Sequence, residues 1–202
     1  MVEEYGNLES HYVREVYSLL ASYSTKNCRS NRGLRVWRPV QKFLNDLPTG
    51  SIVIDVGCGQ AKYSKKDGFV LGSDTCPEIL RSIARSTTLD VQLADAVHLP
   101  YRDGSIDAAL AISVIHHLST PTRRREAVTE IARCLCVGGK LLIYVWAFEQ
   151  PSGTFPSQEV LVPWHLHETS LDGRLPLVRF HHNSTKEERI IRVRFFMCDI
   201  QI

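Results

Sequence analysis

Ser51-Ile52-Val53-Ile54-Asp55-Val56-Gly57-Cys58-Gly59-Gln60-Ala61 is the stretch on which the reading of this chain turns. Ser51 to Val56 is a short apolar run rich in β-branched residues, the pattern of a buried strand. Gly57 and Gly59 let the backbone turn sharply and approach a ligand. A short helix is expected from about Gln60, with its free N–H groups facing that ligand. Two further runs end in acids: Phe69 to Asp74, and Val91 to Asp95. In open α/β sheets, ligands bind at the carboxyl ends of strands. Three strands ending in Asp either build such an edge or are ordinary strand-end turns, where Asp is common.

A glycine turn after a strand first suggests G-x-G-x-x-G, but Lys62 stands where the third Gly belongs, so that fingerprint fails. Asp55-Val56-Gly57-Cys58-Gly59 instead resembles D-x-G-x-G, the first motif of methyltransferases that use S-adenosyl-L-methionine. The resemblance makes Asp55, Gly57 and Gly59 cofactor contacts at its methionine end. It makes Asp74 the acceptor for the ribose hydroxyls and Asp95 the acceptor for the adenine amino group. Ile112 and Ser113, closing the fourth strand, are taken with them.

The chain has 202 residues, 44% hydrophobic and 23% charged, enough for one sizeable core. A net charge of +2 carries no global nucleic-acid signature, so any RNA contact needs a local patch. The six cysteines hold no C-x-x-C pair, which reads as free thiols and no metal site. Neither a signal peptide nor a membrane-spanning run is read, so a cytoplasmic or nuclear protein is expected.

In order along the chain, residues 1–7 read as loose, and Leu8 to Ser22 carries a helical stripe. Ser24 to Arg35 is a basic loop with Lys26, Arg29, Arg32 and Arg35; Val36 to Leu47 is a second helical stripe. Thr75 is placed to cap a helix with Ile79, Leu80, Ile83 and Ala84 inward. Ile106 to Ser113 is a central strand. Ser119 or Thr120 caps a helix that Gly138-Gly139 stops, and Lys140 to Ala147 is the fifth strand. This alternation predicts an α/β fold, a doubly wound, mainly parallel sheet. Leu177 to His182 and Arg189 to Asp199 are expected to pair antiparallel at its edge. One domain over 1–202 is expected: N-terminal helices and loop (1–50), cofactor core (51–147) and C-terminal part (148–202).

Several strings then resemble one family. They are Asp55 to Gly59, Ile115-His116-His117, Ser119-Thr120 with Arg123-Arg124, Leu142 to Ala147 with Glu149-Gln150, and Val160-Leu161-Val162-Pro163-Trp164. The family is the eukaryotic tRNA wobble-uridine carboxymethyl methyltransferases. The resemblance implies a class I methyltransferase fold and methyl transfer to the carboxylate of a carboxymethyl-uridine in the tRNA anticodon loop, giving a methyl ester. It makes Arg32 or Arg35 the candidate to pair with that carboxylate. It also implies a small zinc-binding activator subunit that adds a strand beside Val91 to Asp95, whose edge is otherwise bare. A carboxylate is nucleophilic at pH 7, so no general base is demanded.

His116, carried as catalytic with Arg32 and Arg35, is either a pocket wall or RNA contact, or with His117 a polar pair opening a helix. Tyr144 and Trp146 either stack the uracil ring or are core. Arg123 and Arg124 are phosphate contacts or solvated charges. The same first motif also serves small-molecule methyltransferases and cofactor-binding non-enzymes. The family usually has Gly at Ala61, and after His182 the chain leaves the family's ending.

Overall fold

The computed structural model describes residues 8–27, 36–147, 149–150, 153–154, 159–166 and 189–196. Residues 1–7, the loop 28–35 with Arg29, Arg32 and Arg35, and the expected strand at 177–182 lie outside the described residues.

A π-helical turn, Ser10–Arg14, leads into α1 (Glu15–Asn27), and α2 is Arg38–Asn45. Then come β1 (Ile52–Val56), β2 (Phe69–Asp74), α3 (Pro77–Arg81), β3 (Leu89–Leu93) and β4 (Ile106–Ile112). A 3-10 turn, Ile115–His117, precedes α4 (Pro121–Cys134) and β5 (Leu135–Tyr144). The five strands form one sheet in the order β3-β2-β1-β4-β5, every pair parallel. The order reverses beside β1, so the crevice for a ligand opens at the carboxyl ends of β1 and β4.

Alternation along the strands feeds two cores. Ile54 and Val56 of β1 with Ala109 and Ala111 of β4 pack under Ala127 and Ile131 of α4. Val53, Ala108, Leu110 and Ile112 pack under Val40 and Leu44 of α2. Thr120 caps α4, its Oγ1 accepting the Arg123 N–H at 3.1 Å, as the sequence predicts.

Four expectations change. No helix follows Gln60: Gly57, Gly59 and Ala61 have φ of 66°, 52° and 49°, and alternate left-handed residues cannot propagate a right-handed helix. The helix after β2 stops at Arg81, leaving Ile83 and Ala84 outside it; the Ser82 hydroxyl takes the Ile79 carbonyl at 2.6 Å and competes with the helical ladder. β5 starts at Leu135, so Gly138-Gly139 sits inside the strand, where the register shifts between Ile106 and Ala108, and stops no helix. The third strand ends at Leu93, which leaves Asp95 in the following turn.

Glu149–Gln150 (β6) and Gly153–Thr154 (β7) make a small antiparallel pair. The last strand, Arg189–Phe196 (β9), pairs antiparallel with Glu159–Leu166 (β8) in a sheet separate from the main one, so it does not extend the main-sheet edge; its expected partner at 177–182 lies outside the described residues. Its register sets Val160 opposite Phe195, Val162 opposite Val193 and Trp164 opposite Ile191.

Lys65 is a buried cation that ties α2 to the sheet. Its Nζ donates to the Leu47 carbonyl at 3.1 Å, the Leu44 carbonyl at 3.4 Å and Asp67 Oδ1 at 2.7 Å. It thereby satisfies the carbonyl end of the helix. Lys65→Met should destabilise the protein by about 1–3 kcal/mol in urea unfolding, because these carbonyls lose a charged donor.

Candidate active site

The glycine turn and the carboxyl ends of β1, β2 and β4 build the site. Asp55 closes β1 and is 2% exposed. One of its oxygens, Oδ2, is buried with no hydrogen-bond partner. Burial pushes its carboxyl up to about 7; Lys62 opposes this and Asp74 adds to it. A side chain at Gly57 would collide with Val114, so that glycine serves close packing. Around a side chain at Gly59 nothing lies within 4 Å, so this glycine faces open space and is needed for its left-handed backbone. Ala61 adopts the same conformation at a cost of about 1 kcal/mol relative to Gly. Ser113, with φ 62°, is the second non-glycine in this region. Backbone strain is therefore collected around the crevice.

Asp74 Oδ2 accepts the Gly59 N–H and Oδ1 the Cys76 N–H, both at 2.9 Å. Burial raises its carboxyl despite these bonds. A carboxylate offers about four lone-pair sites, so these bonds leave room for a further donor. Asp95 is more engaged than expected: its Oδ2 lies 3.0 Å from Arg14 Nη2 and 3.6 Å from Arg123 Nη2.

The N-terminal helix lies where its stripe predicts, but its contacts are the part the sequence did not reveal. Glu9, 7% exposed, accepts from the Ser119 N–H (2.7 Å), the Ser119 hydroxyl (2.8 Å) and Arg123 Nε (2.9 Å). Tyr17 Oη lies 3.1 Å from His117 Nε2, and the Ser18 hydroxyl donates to Glu78 at 3.0 Å. The helix thus crosses the ends of β2, β3 and β4. An acid among polar residues gives no signal of this; a π-helical turn, common at functional sites, does.

Arg123 and Arg124 are occupied within the protein, Arg123 by Glu9 and Arg124 by the Leu118 carbonyl at 2.8 Å. His116 is fully buried; its Nδ1 accepts the Trp146 N–H at 3.2 Å. Burial and the adjacent His117 push it down to about 2, so it is neutral at pH 7. Trp146 lies beyond β5, and Tyr144, ending β5, meets Trp37 edge-on at 5.5 Å. Ile112 is buried at the end of β4, with Ser113 half-buried beside it.

Among the described residues no group of His, Cys, Asp and Glu could hold a metal, and no helix is long and apolar enough to cross a membrane.

Residues 54–143 match the family described as a methyltransferase domain. The mouse protein named "Probable tRNA methyltransferase 9B" is 43% identical over 167 residues, 82% of this chain; the chain spans 36% of its length. The tRNA (carboxymethyluridine(34)-5-O)-methyltransferase of Schizosaccharomyces pombe is 38% identical over 165 residues, 78% of this chain and 69% of that protein. The methyltransferase of Haloferax volcanii, solved in complex with the Trm112 methyltransferase activator, superposes with a TM-score of 0.52 at 20% identity, covering 66% of this chain and 61% of that one.

Asp55 gives the ligand-free protein a pH dependence. Its folded value, about 7, lies above the unfolded value of about 4, so its contribution is full below the latter and is lost as pH rises through 7. The melting temperature should fall by about 5–10 °C between pH 4.5 and 8, and Asp55→Asn should flatten that slope.

Proposed function

The chain belongs to the tRNA (carboxymethyluridine(34)-5-O)-methyltransferase family, and on that premise we propose that it binds S-adenosyl-L-methionine and methylates the carboxylate of carboxymethyl-uridine at the tRNA wobble position. The observation that carries the cofactor reading is the buried Asp55 carboxylate with an unpartnered oxygen beside the open space at Gly59. Such an oxygen calls for a cation, and the cofactor's methionine ammonium is one. Asp74 takes the ribose hydroxyls, Asp95 the adenine amino group, and Ile112 and Ser113 line the same crevice. When bound, S-adenosyl-L-methionine supplies a methyl group on a sulfonium centre.

The protein's part is positioning. The acceptor carboxylate needs no proton removed, so the chemistry asks no base of His116, whose lowered value makes it a weak one. Arg32 or Arg35, on the segment before Trp37, holds that carboxylate by a bidentate pair. Too strong a hold would quench the nucleophile, so orientation is its main contribution.

A small zinc-binding activator covers the β3 edge. Arg85 guards one end of that edge, pairing with Asp90 and donating to the Val91 carbonyl at 3.2 Å. The other end is bare, with Leu93 61% exposed. The Haloferax protein of the same fold, solved with its activator, supports this reading.

Mass spectrometry of nucleosides tests the activity. With cofactor, activator and methyl-deficient tRNA, carboxymethyl-uridine should fall and its methyl ester rise. Unchanged nucleosides would reject the assignment. Sedimentation of the co-expressed pair tests the partner: one-to-one complex for the wild type, none for Leu93→Pro. A complex that survives this change would move the interface elsewhere.

A further inference from the structure

Lys62 follows the glycine turn on the β4–β5 side of the crevice. Its Nζ lies 5.4 Å from the ring centre of Trp37 and 5.1 Å from that of Tyr63. Trp37 is 38% exposed and leans edge-on against Tyr144, whereas Tyr63 is buried. Lys62 is half-buried and makes no ion pair among the described residues. Burial lowers its ammonium from the ordinary lysine value, and Asp55 opposes that shift.

An unpaired half-buried cation is costly unless a ligand meets it. Aromatic faces hold it in place yet cancel none of its charge. The cluster stands at the carboxyl ends of β1 and β5, on the far side of β1 from Asp74 and Asp95. We propose that Lys62, walled by Trp37 and Tyr63, is a carboxylate-binding site, with the exposed Trp37 ring as a platform for the group that carries the carboxylate. Given the function proposed above, two carboxylates come to this crevice. One is the acceptor's carboxymethyl group, the other the cofactor's α-carboxylate. Both offer the same chemistry to Lys62.

Calorimetry on the full chain with its activator separates the sources. Lys62→Met is compared with wild type for S-adenosylhomocysteine, which has the α-carboxylate, and 5′-methylthioadenosine, which lacks it. With S-adenosylhomocysteine bound, 5-carboxymethyluridine is compared with uridine. A roughly tenfold loss for S-adenosylhomocysteine, with 5′-methylthioadenosine unchanged, assigns the cofactor carboxylate. Lost preference for 5-carboxymethyluridine over uridine, with S-adenosylhomocysteine unchanged, assigns the acceptor. Lys62→Arg keeps the charge and should restore part of either effect. Unchanged 5′-methylthioadenosine affinity reports that the variant is folded. A Lys62→Met protein with wild-type values in both comparisons overturns the proposal. These readouts need no turnover, so a wild-type chain that binds but never methylates tRNA would reject the function and leave this site standing.

Discussion

An ionisable carboxyl at the centre of an apolar sheet sets the terms for everything around it. Asp55 ends the middle strand, between β2 and β4, and the chain leaves one of its oxygens without a donor. Removing an anion from water without a partner is expensive, so the group gives up its charge more readily than a solvated aspartate. The neighbours relieve it only in part: Lys62 opposes the shift while turning its ammonium toward aromatic rings, and Asp74 adds a second acid. A site built this way trades stability of the empty protein for affinity toward a cationic ligand.

The sheet was legible because β-branched runs and helical stripes repeat in a parallel α/β rhythm, and the sharp turn after β1 was legible in Gly57 and Gly59, both left-handed in the structure. What was not legible falls into two kinds. Local competition hid element ends: a serine hydroxyl shortened α3, and left-handed residues abolished the helix at Gln60. Long-range pairing hid the rest. Nothing in the string Leu8-Glu9-Ser10 announces a bond to Ser119, and nothing local announces that β9 pairs with β8 across more than twenty residues of chain. Arg123 read as a surface charge for the same reason, since its anion is far off in the chain.

The N-terminal helix changes what the cofactor acids mean. Asp95 is held by Arg14 and Arg123, and Glu9 holds Arg123. Asp95, the proposed adenine acceptor, is thus one member of a charged network that also fastens the helix. β9 runs alongside the π-helical and 3-10 turns, so the C-terminal pair of strands meets the same end of the sheet.

The bond from Glu9 to Ser119 spans 110 residues. On a ribosome, the helix that carries Glu9 emerges long before its acceptor, and four strands, β1 to β4, must be made in between. Closing so long a loop is entropically unfavourable until the sheet supplies a surface. The helix is therefore made before the sheet and docks after it, and the crevice is completed only once the sheet has assembled.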